Sequence, residues 1–520
     1  MEAESTTPFG KWRTFFWPIH RWELKKFLPM LAMFFLIAFN YNILRSYKDT
    51  IVVTASHSGA ETLPFIKVWA VLPAAILMTF IFTRLANRYD REKVFYIFMA
   101  IFLGFFFFFA FVLYPAREFL HPNNLADHLQ TILPGGFKGL IAIFRNWTFT
   151  LFYVMSELWS TTIFTVLFWG FANEVTNVHE AKRYYGILGT GGNIAGVFSG
   201  QAAILFSGNL TLSWIPYGKT AWDQSIFLLT AALLVSGALT ILIFRWLNIH
   251  VIRPTERGIP QHLKPEKVKM SVRQNFLYII RSKYLLCIAV IVVTYNLAMN
   301  LVEIVWKNKM KEFLPNPAEY NSYMGKVMIV MAIIATVTGL ITTSNVIRRF
   351  SWTTCAMISP VIIGASGLLF FVVVLLQEWN IPWFATLLGI SPLMLSVTLG
   401  SLQNCLSRAS KYTVFDATKE ISFIPLSNQS KLKGKAAIDG IGSRLGKSGG
   451  SIVHQGLLIV FATIGASTPY VAAIFLAVVV FWGLAVSALG KQFDQLVAEN
   501  TTIDVPEIET AKPALAENNS

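Results

Sequence analysis

Apolar runs of roughly 20 residues recur from one end of this chain to the other, and such a chain has few ways to fold. In hydrocarbon every backbone N–H and C=O must be satisfied internally, so the spanning element is a helix. The run Phe105 to Phe109, five phenylalanines in a row, would be hard to keep in water. Charged residues make up 14% of the 520 positions, hydrophobic ones 54%, and the mean hydropathy is +0.55. Soluble domains carry about a quarter charged residues, so a soluble fold is excluded. Spans are expected near 27–45, 62–83, 94–114, 147–172, 184–207, 224–246, 284–306, 322–343, 353–376, 384–405, 438–464 and 469–490. Polar residues interrupt the fourth and the eleventh. The expected fold is an all-α integral membrane protein of about twelve transmembrane helices.

Placing the N-terminus inside puts most of the 43 basic residues on the cytoplasmic side, among them Lys25, Lys26, Arg84, Arg88, Arg253, Lys267, Arg348 and Arg349. This positive-inside pattern predicts that both termini are cytoplasmic. It also accounts for the net charge of +15 without nucleic acid. A polar stretch over 248–282, with Pro254, Pro260 and Pro265, reads as a cytoplasmic linker between two six-helix halves. The expected units are an N-terminal segment 1–26, bundles 27–247 and 283–493, and a disordered cytoplasmic tail 494–520. Basic turns at Arg84–Lys93 and Asn345–Phe350 fall at equivalent places in the two halves, as in a major-facilitator-like repeat. The opening Glu2 and Glu4, with no cleavable signal pattern and no Arg/Ser-rich transit character, point to a bacterial plasma membrane.

Cys287, Cys355 and Cys405 lie in apolar runs with no metal-like spacing, and of the eight histidines only His454 falls in an expected span. No metal or cofactor is expected.

Ionisable side chains within spans are costly, so they tend to face a cavity and serve function. Tyr41, Arg45 and Lys48 are spaced to share one helix face; so are Tyr153, Glu157, Ser160/Thr161 and Phe164. Asn296, Asn300, Glu303 and Lys307 form a third stripe, and Ser443, Lys447, Gly450 and His454 a fourth. Lys307 stands at a span end, where snorkelling to the interface explains it. The remaining acids and bases suit a polyanion carrying a polar base. Arg and Lys neutralise phosphate, and carboxylates pair with those cations, accept from an amino group or carry a coupling proton.

Two motifs mislead. Gly189-Thr-Gly-Gly-Asn-Ile-Ala-Gly196 resembles a dinucleotide loop, but no strand precedes it and an apolar span contains it. Gly189, Gly192, Gly196 and Gly200 instead make a face for close helix approach. Asn193, within that stretch, joins the candidate substrate-binding positions. Gly446-Lys-Ser448 lacks the glycine a phosphate-binding loop needs, since Ile441 stands there, so ATP hydrolysis is not supported and no enzyme is expected.

Segments such as Phe39-Asn-Tyr-Asn-Ile-Leu-Arg45, Ser156-Glu-Leu-Trp159, Phe168-Trp-Gly-Phe-Ala-Asn-Glu174, Phe415-Asp-Ala-Thr-Lys-Glu420, Lys433-Gly-Lys-Ala-Ala-Ile-Asp439 and Gly446-Lys-Ser-Gly-Gly450 carry a family resemblance. The chain resembles the nucleotide transporters of chlamydiae, rickettsiae and plastids, the non-mitochondrial ADP/ATP carriers, roughly from Phe9 to Asp494. The resemblance implies a major-facilitator-like fold and import of ATP in exchange for ADP. Phosphate and other nucleotides are further possible cargo and a lipid bilayer is the medium. It implies substrate roles for Lys48, Glu157, Glu303 and Lys447, to which the stripes add Arg45 and Asn300. One departure is Ser46-Tyr47, where the family reads Asp-Thr. It leaves open proton-coupled nucleoside triphosphate uptake or a broader ribonucleotide exchange. A general sugar or drug exporter does not explain a basic cavity, and a membrane-embedded transferase would need clustered catalytic groups that the sequence lacks.

Overall fold

The computed structural model describes Arg13 and residues 17–208, 217–218, 220–252, 278–379, 389–438 and 443–499. Most of the expected linker, the region between the fifth and sixth helices, and the C-terminal tail lie outside the described residues.

Long helices alternate up and down through the chain. In the first half these are α1 (Leu24–Val53), α2 (Thr62–Arg88), α3 (Arg91–Leu113), α4 (Trp147–Val175), α5 (Val178–Phe206) and α6 (Ala221–Ile252). In the second they are α7 (Lys283–Phe313), α8 (Pro317–Arg349), α9 (Trp352–Glu378), α10 (Pro392–Ser410, continued through Lys411–Phe415 and Asp416–Ser422), α11 (Ser443–Phe461) and α12 (Ile464–Ala498). Nine of the described helices are long and apolar enough to cross a membrane by length and composition. The other three, α5, α10 and α11, carry more polar residues and pack among them. Several helices start on a side chain that satisfies a free backbone N–H. Ser282, Ser351, Ser391 and Thr463 each accept from the residue three on, and Asn177 and Thr220 do so within capping boxes.

Several helices run past their expected ends, two of them beside the cavity. α1 continues to Val53 rather than ending near 45, and α10 continues to Ser422 rather than ending near 405. The expected ends were placed where polar residues begin. The helices run on because those residues are buried and paired inside the bundle.

The alternation of helices gives the bundle two ends. The near end holds the starts of α1 and α7 and the end of α12; the far end holds the ends of α1 and α7. At the far end the halves touch closely. Gly200 of α5 faces Gly325 of α8, where an added Cβ would lie 2.6 Å from the Gly325 carbonyl oxygen. Asn321 of α8 donates to Ser207 at 2.7 Å, and Thr50 of α1 donates to Asn321 at 3.2 Å. Gly136 lies against the backbone of Ile459, and Lys311 donates to the Ser58 carbonyl. Toward the near end α5 and α8 diverge: a Cβ at Gly186, Gly189 or Gly339 would meet nothing within 4 Å. Described ion pairs at the near end, such as Lys26–Glu180, Arg183–Glu23 and Lys435–Glu420, stay within one half. Among the described residues the halves are in close contact at the far end and parted at the near end.

Candidate functional site

A cavity of about 400 Å³ lies between the halves, lined from α1, α2, α4, α7, α10 and α11. That is within the range of small-molecule sites. Tyr41, Arg45, Lys48 and Asp49 enter from α1, and Tyr153, Glu157, Ser160 and Thr161 from α4. Tyr295, Asn296, Asn300, Glu303 and Lys307 enter from α7, and Arg408, Lys411 and Tyr412 from α10. The one-face spacing of the stripes explains this, because α1, α4 and α7 each turn the same side of a regular helix to the centre.

At the sealed end the charges form a chain that crosses from one half to the other. The Lys48 ammonium lies 2.8 Å from Glu157 and 3.2 Å from Asp49, and 3.9 Å from the centre of the Tyr153 ring. Asp49 in turn lies 2.8 Å from Lys307, which lies 2.9 Å from Glu303. Arg408 stands 3.9 Å from the same Glu303 oxygen. Lys307 is 2% exposed, as is the Asp49 side chain. Lys307 therefore does not snorkel. It is held inside because two carboxylates solvate its ammonium where water does not.

Among the described lining residues there are six basic and three acidic side chains, a surplus of three positive charges. Arg45, Lys67 and Lys411 have no carboxylate within ion-pair distance among the described residues. Tyrosines 41, 153, 295 and 412 add aromatic surface. Tyr41 stacks on Phe164, and Tyr295 on Phe415. The Asn300 amide oxygen is buried and has no hydrogen-bond partner among the described residues. Such a cavity offers cations to a polyanion and aromatic faces to a flat polar group.

Of the expected site residues, Arg45, Lys48, Glu157, Asn300 and Glu303 line this cavity. Lys447 belongs to α11, and its neighbour Ser448 lines the cavity, but the Lys447 side chain lies outside the described residues. Asn193 is on α5 and is not among the lining residues. α5 uses that face for helix contact: a Cβ at Gly192 would meet Phe34, and one at Gly196 would meet Ala332. Gly446 and Gly450 similarly bring α11 against Asn296 and Asn300 of α7. His454 is buried, its Nε2 3.3 Å from the Leu301 carbonyl, and does not line the cavity. Sequence reasoning missed Asp49, Lys67, Arg408 and Lys411. Lys67 carried a clear signal, an unmatched charge inside an expected span. The other three lie just past the expected ends of their spans.

A protein-family profile described as TLC ATP/ADP transporter matches residues 2–493. The chain belongs to that family. Within the TLC family, ADP,ATP carrier protein 1 of Chlamydia trachomatis is 44% identical over 495 residues, spanning 95% of this chain and 93% of the relative. A chloroplastic ADP,ATP carrier protein 1 of Arabidopsis thaliana is 40% identical over 476 residues, spanning 92% of this chain and 75% of the relative. Among solved structures, a bacterial homologue of the iron transporter ferroportin aligns with a TM-score of 0.53 at 13% identity, covering 91% of this chain and all of that one. A D-xylose–proton symporter aligns at 0.52 and 12% identity, covering 88% and 97%. At such identities the likeness is one of fold. This TLC-family chain is a multi-pass, all-helical membrane protein of major-facilitator-like architecture.

Proposed function

We propose that this chain is a nucleotide antiporter that imports ATP in exchange for ADP by alternating access. The observation that carries the reading is the positive surplus of a closed-bottomed cavity shared by both halves, in a chain that is 44% identical to a chlamydial ADP,ATP carrier protein. A nucleoside triphosphate brings roughly four negative charges, which suit a site where cations outnumber acids. The tyrosines offer faces for the base, and the free Asn300 oxygen an acceptor for its amino group.

The excess of Lys and Arg at the near end supports a cytoplasmic position for both termini, and we place the protein in a bacterial plasma membrane on its likeness to chlamydial carriers. The near-end opening then faces the cytoplasm, and the closed far end faces outward. Exchange requires the two ends to open in turn around the same charges. Arg45, Lys48, Glu157, Asn300, Glu303 and Lys447 are the proposed contacts for the nucleotide, with phosphate as possible further cargo. Transport leaves the nucleotide chemically unchanged, so the protein acts as a carrier rather than an enzyme.

The test is uptake of labelled ATP by intact bacterial cells that express the protein, with and without an uncoupler, followed by efflux on adding unlabelled ADP outside. Uncoupler-resistant uptake, ADP-driven efflux and label recovered as intact ATP are expected. Uptake that collapses with the uncoupler and shows no counter-efflux would replace exchange with proton symport on the same scaffold.

A further inference from the structure

Gln455 of α11 is buried, and both ends of its amide reach across to the other half of the molecule. Its nitrogen donates to the Pro64 carbonyl of α2 at 2.8 Å, and its oxygen accepts from the Trp69 indole of α2 at 3.2 Å. An amide carries both a donor and an acceptor, so one side chain serves both bonds. Within its own half α11 is fixed. Gly446 and Gly450 let it lie against Asn296 and Asn300 of α7, and the neighbouring His454 ring meets the Leu301 carbonyl at 3.3 Å. The amide is therefore presented to α2 from a helix that is itself held in place.

The two bonds bracket Ile66–Val71, a π-helical stretch of α2. Such stretches are rare and concentrate at functional sites. A side chain that inserts into the backbone ladder is one cause of a distorted helix, and Gln455 reaches the backbone at Pro64, just before the wide turn. Four residues further along α11 the halves touch again, where an added Cβ at Gly136 would lie 2.5 Å from the Ile459 Cα. Gln455 thus ties the halves together between the cavity, which Lys67 and Ser448 line, and this far-end contact. It is not itself among the lining residues.

We infer that Gln455 is a positioning residue, the latch of the far end. It braces the wide turn of α2 while the near end is open, and it releases Pro64 and Trp69 when the far end opens. The inference rests on the exchange reading, since only a carrier that opens both ends has to break these bonds. A buried amide that loses its partners is costly, so the latch lets go only where water enters to replace them.

The experiment measures far-end separation in the purified full-length protein in nanodiscs, by pulsed electron spin resonance between labels at Phe119→Cys and Trp379→Cys. Both positions are exposed, one in each half, and Cys287, Cys355 and Cys405 are replaced by alanine. With saturating ATP or ADP the wild type should show a short and a long separation. Gln455→Leu should raise the ratio of long to short about 5- to 30-fold. Trp69→Phe, which removes only the indole donor, should raise it about 2- to 10-fold, and it decides the matter alone if Gln455→Leu does not fold. Unchanged ratios would overturn the latch, while two wild-type separations would leave the exchange reading standing. A wild type with one separation under every condition, and no exchange of ATP for ADP in cells, would sink that reading and this inference with it.

Discussion

Asp49 is held between Lys48 and Lys307, with each of its oxygens on one of the two ammonium groups. Removing one member of a buried ionic set strands the charge of its partners, which costs about 3–5 kcal/mol. Asp49→Asn should therefore lower the thermal stability of the detergent-solubilised protein, as should Lys307→Gln, and the double change should cost less than the two added. Strict additivity would mean that the pair does not interact. Lys48 lines the cavity too, but it is also held by Glu157, so Lys48→Gln tests nucleotide affinity as well as the ionic set. It should reach the membrane normally but bind ADP about 10- to 100-fold more weakly, as measured by titration of purified protein. These residues also mark how far the sequence could be read. Helical spacing brought Arg45, Lys48, Glu157, Asn300 and Glu303 to one place, because periodicity fixes which face a residue occupies. It could not place Asp49 or Arg408, since charge near a span end reads equally as interface. The salt partners that keep such charges inside come from distant helices.

At the scale of elements, apolar periodicity and end-capping side chains made the helices legible, while several ends were drawn too short, those of α1 and α10 beside the cavity among them. The short helices between α3 and α4 were not foreseen at all. There Arg117–Leu120, Asn123–Ile132 and Lys138–Arg145 form a cap over the far end. Within this cap the His121 ring bonds the Thr148 hydroxyl at 2.7 Å and meets Phe149 edge-on. Burial, with Arg117 nearby, pushes its pKa down to about 4. An unfolded histidine titrates near 6.5, so between these values the unfolded chain binds more protons. The stabilisation is complete above the unfolded pKa and declines as pH falls toward 4. Melting temperature should therefore drop from pH 7 to pH 5, and drop less in His121→Gln. Parallel pH profiles for the two proteins would show that His121 is not responsible. The same cap contains Asp127, whose carboxyl is held below its usual range by its hydrogen bond to Arg145.

For the whole molecule, the decisive feature is that the described residues of the two halves pack closely at the far end and part toward the near end. Gly200 and Gly325 stand where the α5 and α8 backbones nearly touch. With Gly200→Cys and Gly325→Cys together, oxidation should tie the far end shut. Nucleotide would still bind through the near-end opening, but exchange should stop until a reductant is added. Exchange that continues through the oxidised state, with the cross-link confirmed by mobility, would show that the α5–α8 contact does not open during transport. The charge surplus of the cavity has a further consequence, for a cell rather than for a binding site. A vacant carrier that tried to turn over would have to move uncompensated cations past the apolar middle of the bilayer. There each one costs about 2.5–3.5 kcal/mol on insertion scales. A loaded carrier brings its own counter-charge and escapes most of that penalty. The protein would thus meter nucleotides one for one, and the adenylate pool behind the membrane would be guarded against leakage by electrostatics, with no dedicated lock required.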